Sequence, residues 1–340
     1  MKKVFIALAA VAALASCSKS NVEYAPTGEI GFVPVTKGIT KSMITDGTFP
    51  PSESFNVWAW YNEVGTGTSV TAWDTETDKF YFEEGEFINK GASWGGKTPY
   101  YWPKVGSLLF AGYYPTSIAN SVDYTFDSSN NQMVFSNIKQ SEVAANGYSE
   151  DIMYFNMTPV SHNSGPVGVV FKHALSWVTV NLARPTDNTD AAEYPKITVN
   201  EVTFTNVKPQ GTGTVTGTDG TIVWTANGTA APKTVTSEDV VLSTTPQMQK
   251  QPLFIPQTLT AEMKLEVEYT IASSANESFT ETYSIALAGM NGTQGEETVT
   301  VNAWDPAKHY TYNITIGIEE ILIAPTVTPW EEVTVAVLVQ

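Results

Sequence analysis

Cysteine and arginine each occur once in the 340 residues, and histidine three times. A lone cysteine, Cys17, excludes an internal disulfide, and one thiol with three imidazoles leaves little for a soft-ligand zinc or iron site. No catalytic, cofactor-binding or metal-ligating residue is assigned. Basic charge is scarce too: Lys plus Arg total 18 against 35 acids, a formal net charge of −17. Neither a phosphate-reading surface nor a basic membrane patch can be assembled from that set, so nucleic acid is excluded as a partner. What is present is a hydrophobic fraction of 42% with 11% aromatics and 16% charged residues, enough for a packed core. At ~150 residues per domain, the length favours two domains.

The N-terminus carries an address. Met1-Lys2-Lys3 is a short positive region, and the apolar run from Val4 to Leu14 falls short of the ~20 residues a membrane-spanning helix needs. The run ends in Leu14-Ala15-Ser16-Cys17, small residues before a cysteine, which looks like a bacterial lipobox. The expectation is a signal peptide over residues 1–16, acylation at Cys17 and a polar tether over 17–28. Anchoring through more than one acyl chain is stable where a single chain is marginal. Loss of residues 1–16 removes two lysines and no acid, moving the charge from −17 to −19.

From Glu29 onward the chain reads as strand after strand. Apolar and β-branched runs bounded by Gly, Pro, Asn and Asp recur at Ile30–Val35, Phe55–Tyr61, Phe80–Phe82, Leu108–Tyr114, Gln132–Phe135, Ile152–Phe155 and Val167–Phe171. They continue at Trp177–Leu182, Ile197–Val207, Ile222–Trp224, Lys264–Ile271, Phe279–Leu287, Tyr310–Ile316 and Val333–Val339. Leu265, Val267, Tyr269 and Ile271 alternate with Glu266, Glu268 and Thr270, the period of a strand with one dry face and one wet. The fold class expected is all-β, with packed antiparallel sheets and little helix; only Ser141–Ala145 looks helical. Residues 211–245 hold eleven threonines and read as edge hairpins. The breaker cluster His162-Asn163-Ser164-Gly165-Pro166 suggests a boundary between a sandwich over 29–164 and a second over 165–328, with a separate strand over 329–340.

Motifs for chemistry are weak throughout. Gly91-Ala92-Ser93-Trp94-Gly95 has the spacing of a nucleophile elbow, but Gly96-Lys97-Thr98-Pro99 cannot open the helix that an elbow requires. Asp74-Thr75-Glu76-Thr77-Asp78 begins like a calcium loop, yet Lys79 stands at the turn glycine. Glu83, Glu84 and Glu86 read as surface carboxylates and not a glycosidase pair, and His173 as a packed or hydrogen-bonded residue. Trp58, Trp60, Trp73, Trp94 and Trp102 could offer a sugar platform. Trp58 and Trp60, however, share one strand face while Phe55, Val57, Ala59 and Tyr61 share the other, so both faces favour a core.

Taken in order, several of these pieces resemble the fimbrillins, type V pilus subunits exported as lipoproteins. They are the lipobox at Cys17, Ile30-Gly31-Phe32 followed by a basic site, Tyr100-Tyr101-Trp102-Pro103, Leu108–Pro115, Asp151–Tyr154, Val169–Val180, His309–Ile314 and Trp330. The resemblance implies two transthyretin-like Greek-key β-sandwiches in tandem. It also implies a trypsin-like protease that cuts after a basic residue in the first loop, here Lys37 or Lys41, and so removes the outer-membrane anchor together with the first strand. The opened groove would accept a strand from another copy or a related pilin.

The C-terminus supplies a candidate, with Val333, Val335, Val337 and Val339 on one face. Burying four valines at ~1.5–3 kcal/mol each gives on the order of 6–12 kcal/mol before ordering costs. The expected function is a structural pilin, a lipoprotein precursor at the outer membrane that then joins an extracellular fimbrium. A monomeric glycan-binding lipoprotein and the anchor subunit of the same pilus are the alternatives. An enzyme has the least support.

Overall fold

The computed structural model describes residues 24–36, 39–40, 43–45, 49–62, 80–116, 123–127, 132–140, 151–161, 165–185, 195–216, 220–236, 238–318 and 321–329. Among them the regular structure is all strand, with no α-helix; the helical reading at 141–145 lies outside the described residues. Ser54–Asn62, Ser107–Tyr114, Val167–His173, Ser176–Ala183, Lys196–Val207, Lys264–Ser274 and Lys308–Ile316 are all strands, where apolar alternation places them. Leu265, Val267, Tyr269 and Ile271 are buried, as their period requires, and Glu268 is exposed.

Seven strands close a barrel. Around its wall they run Met153–Ser161, Val167–His173, Gly31–Thr36, Trp94–Gly96, Phe80–Asn89, Ser54–Asn62 and Ser107–Tyr114, which pairs again with the first. Ser54–Asn62 is apolar on both faces because both are covered. Phe55, Val57, Ala59 and Tyr61 point into an aromatic interior with Phe32, Phe87, Phe110, Phe155 and Phe171. Trp58 and Trp60 point outward, and they are only 2% and 3% exposed because a second layer lies over them. That layer is a four-stranded sheet of Asp123–Asp127, Gln132–Lys139, Gln210–Thr216 and Val223–Asn227. The threonine- and glycine-rich stretch thus forms a hairpin, as its composition suggests, although Gln210–Thr216 is paired on both sides.

The second half is a β-sandwich. One sheet runs Gln247–Met248, Ser176–Ala183, Lys308–Ile316, Ile321–Pro329, Met290–Gln294 and Glu297–Val301. The other runs Ala231–Thr236, Lys196–Val207, Lys264–Ser274 and Glu277–Ala286. Val178, Val180, Tyr310, Tyr312 and Ile314 of the first sheet meet Ile197, Val199, Phe204, Leu265 and Val267 of the second in one core.

Sheet pairing does not divide at the breaker cluster. Residues 162–166 join Met153–Ser161 to Val167–His173, which are neighbours in the barrel wall, so the chain leaves the barrel only after His173. Gly and Pro occur between paired strands as readily as at a domain boundary. The two halves are also laced together, because Gln132–Lys139 of the first pairs with Gln210–Thr216 of the second.

His309 shows how the sandwich core responds to acid. Its ring stacks on Trp177 at 3.6 Å with an interplanar angle of 6°, and Nε2 lies 2.8 Å from Thr179 Oγ1. Burial lowers its pKa from 6.5 to about 4. Below pH 6.5 the unfolded chain binds a proton that the folded chain refuses, so this contribution to stability is complete above 6.5 and is lost as pH falls toward about 4. The loss is expected to be on the order of 2–3 kcal/mol. Urea midpoints measured across that range should fall less steeply for His309→Gln than for the parent.

Candidate functional site

The best-defined candidate site is the strand Gly31–Thr36 in the barrel wall. Gly31–Thr36 alternates half-exposed or exposed residues at 31, 33 and 35 with buried Phe32, Pro34 and Thr36, and Ile30 just before it is also buried. Four successive inward positions at period two therefore fill the barrel from this strand. Phe32 is its principal anchor. Its ring meets Phe87 at 4.7 Å and Phe110 at 5.1 Å, both edge-on, and Phe55 at 6.0 Å. Burial of Ile30 and Phe32 alone contributes ~3–6 kcal/mol.

The neighbours of this strand come from distant parts of the chain. On one side it pairs in parallel with Val167–His173, from Val167 opposite Phe32 to Phe171 opposite Thr36. On the other it pairs antiparallel with Trp94–Gly96, which reaches only Gly31 and Phe32. Both neighbours are distant in sequence, so no hairpin turn ties the strand to either wall. One cut beyond Thr36 would leave it held by noncovalent contacts alone. Thr36 Oγ1 is buried with no hydrogen-bond partner among the described residues, an unsatisfied group at the strand's end.

Upstream, Tyr24–Glu29 pairs with Tyr101–Pro103, Ile30 N–H donates to Tyr100 O at 2.7 Å, and Glu29 meets Lys90 at 2.6 Å. The ion pair is about two-fifths exposed on each side and is worth at most ~1 kcal/mol. Downstream, Ile39–Thr40 pairs with Met43–Thr45, and the chain is pinned again at Phe49. Phe49 packs against Phe55 at 5.4 Å, Phe171 at 5.1 Å and Tyr114 at 5.3 Å. A cut between Thr36 and Phe49 would free the strand while leaving the remainder anchored. Sequence reasoning missed Phe49, whose flanking polar and proline residues give no period.

The named processing residues Lys37 and Lys41, the acylation residue Cys17, and the donor residues Val333, Val335, Val337 and Val339 lie outside the described residues. The last described strand, Ile321–Pro329, runs antiparallel to Lys308–Ile316 over its whole length and brings the chain to Pro329 beside Lys308.

The residues of the chemical motifs are held in local pairs. Glu86 pairs with Lys97 at 2.7 Å, and Glu84 accepts from the Tyr113 hydroxyl at 3.1 Å. His173 Nδ1 lies 2.6 Å from Asp151 Oδ2, with both side chains buried. Trp94 is no open platform: it packs edge-on against Phe49, and its indole N–H donates to Glu53 O. Trp73 lies outside the described residues. No cluster of three or more potential metal ligands occurs among the described residues. The only arginine, Arg184, is buried, so it serves no surface anion site.

The frame that carries these residues is a seven-stranded barrel laced to a β-sandwich through the pairing of Gln132–Lys139 with Gln210–Thr216. The fimbrillin-like family model matches residues 42–330, and the chain belongs to that family. No curated protein matches it. Among solved structures it is similar to a fimbrial protein from Bacteroides vulgatus, with 13% identity, a TM-score of 0.59, and coverage of 88% of this chain and 99% of that one. A candidate cell adhesion protein from Bacteroides uniformis gives 16% identity, a TM-score of 0.48, and coverage of 89% and 99%. Membership places the chain among pilus-type adhesion subunits of the cell surface.

Proposed function

We propose that the chain is a pilus subunit that polymerises by strand exchange. In this reading the precursor reaches the outer membrane through acylation at Cys17. A trypsin-like protease then cuts after Lys37 or Lys41, and the segment ending in Gly31–Thr36 leaves. The C-terminal strand of another copy or a related pilin takes its place. The observation that carries the reading is the seat of Gly31–Thr36 in the barrel wall, between two strands to which no turn connects it. Its departure would expose the edge of Val167–His173 and an apolar slot with four inward positions, Ile30, Phe32, Pro34 and Thr36. Val333, Val335, Val337 and Val339 repeat the same count at the same period. Main-chain bonds would supply affinity and the four side chains register. A head-to-tail contact of this kind does not close on itself and builds a fibre.

Brief trypsin treatment of the chain from Ser18 onward tests this directly. The expected result is a ladder on an unboiled denaturing gel and fibres by electron microscopy. Both should appear only after cleavage near Lys37 or Lys41 and vanish when residues 331–340 are deleted. Cleaved protein that stays monomeric would overturn the reading and leave an anchor subunit as the better assignment.

A further inference from the structure

A second feature lies apart from the strand slot. Where the hairpin of Gln210–Thr216 and Val223–Asn227 approaches the sandwich, a cleft of about 450 Å³ opens, lined by Trp224, Ala226, Lys208, Gln257, Thr258 and Glu262 among others. That volume is within the ~300–1,000 Å³ typical of small-ligand sites.

The indole of Trp224 is rigidly placed. Its N–H donates to Ala174 O at 2.7 Å, and a Cβ at Gly211 or Gly213 would come within 3.2 Å and 3.0 Å of its ring carbons. The two glycines therefore let the ring lie close against the neighbouring strand. Beside it in the cleft lining are two small side chains, Ala226 and Ala230.

The opposite wall is polar and braced. Gln257 accepts from Lys208 N–H at 2.9 Å and donates to Ile255 O at 2.9 Å. Asn206 Nδ2 donates to Glu262 O at 2.7 Å, leaving its own amide oxygen for other partners. The Glu262 N–H, and after it the Thr260 hydroxyl, bond its carboxylate and hold it below the usual carboxylate range. Thr258 presents a further exposed hydroxyl.

This composition selects among ligand classes. A phosphate or sulfate would meet the Glu262 carboxylate, with only Lys208 to offset it, and the Lys208 ammonium already donates to Gly228 O at 3.2 Å. A wholly apolar ligand would make no hydrogen bond to Thr258, Asn206 or Glu262 and would displace water from them. A neutral ligand with one carbon-bound face and a rim of hydroxyls satisfies both walls. We infer that the cleft between Trp224 and Glu262 binds a short saccharide, with a sugar ring stacked on the indole and hydroxyls bonded to the Asn206, Thr258 and Glu262 oxygens. The inference is independent of strand exchange and would hold for a monomer or a fibre.

The test is saturation-transfer NMR on the chain from Ser18 onward with galactose, lactose, cellobiose, N-acetylglucosamine and N-acetyllactosamine. Transfer to ring C–H protons of at least one of these is expected. Affinity should fall roughly tenfold in Trp224→Ala and severalfold in Glu262→Gln. Because Trp224 also packs inward, Ala230→Trp provides a second arm: it fills the cleft mouth from an exposed position and removes no packed side chain. Loss of transfer in a folded Ala230→Trp variant supports the site. No transfer from any of the five sugars, or transfer unchanged by Ala230→Trp, overturns it. Polymerisation after trypsin should be normal in every variant, which separates this result from the fate of the pilin assignment.

Discussion

Phe32→Ala is expected to destabilise the uncleaved protein by about 3–5 kcal/mol, the cost of deleting a fully buried phenylalanine and leaving its cavity. The ring contacts Phe55, Phe87 and Phe110 inside a closed barrel, where the wall strands cannot collapse onto the gap. Urea unfolding followed by tryptophan fluorescence should show the shift as an earlier transition of the barrel. The same substitution should speed release of the N-terminal fragment after a trypsin cut, since Phe32 is the largest side chain the strand inserts. Size-exclusion chromatography of the nicked protein would reveal it. If neither stability nor release changes, the strand is held chiefly by its ladder with Val167–His173 and not by packing.

Asp151→Ala is the second substitution with a large expected cost, about 1–3 kcal/mol, because it removes the carboxylate that is hydrogen-bonded to a buried imidazole. His173 and Asp151 each have side chains 1% exposed, and Nδ1 and Oδ2 are 2.6 Å apart. The pair joins the chain entering Met153–Ser161 to the end of Val167–His173, where Ala174 N–H also donates to Ile152 O. It therefore clamps Val167–His173, the wall strand that pairs with Gly31–Thr36. Asp151→Asn, which keeps an acceptor oxygen, should cost less. The double variant Asp151→Ala/His173→Ala should cost less than the sum of the two single changes, because the penalty of an orphaned partner disappears. Additive costs in that cycle would show that the two side chains do not support one another.

Much of the strand pattern was legible because burial imposes a period of two. Ser54–Asn62 is the clearest instance: aromatic residues on both faces signalled two dry layers, and both layers exist. Ile321–Pro329 escaped notice because Pro325 and Pro329 demote a strand in any local reading. It is nonetheless paired along its whole length with Lys308–Ile316. The cluster at 162–166 stands in sequence between two strands that pair with one another, and Gly and Pro occur at such positions as well as between domains.

By itself the sequence determined the all-β class and the buried role of the tryptophans at 58 and 60. These are properties of composition and local period, and they survive whatever the strands pair with. Only the tertiary structure decided that Gly31–Thr36 sits between Val167–His173 and Trp94–Gly96, that Phe49 pins the chain behind it, and that Trp224 faces a cleft. Those are contacts between residues far apart along the chain. Strand order is fixed by which apolar faces meet across a shared core, and no local pattern encodes that choice.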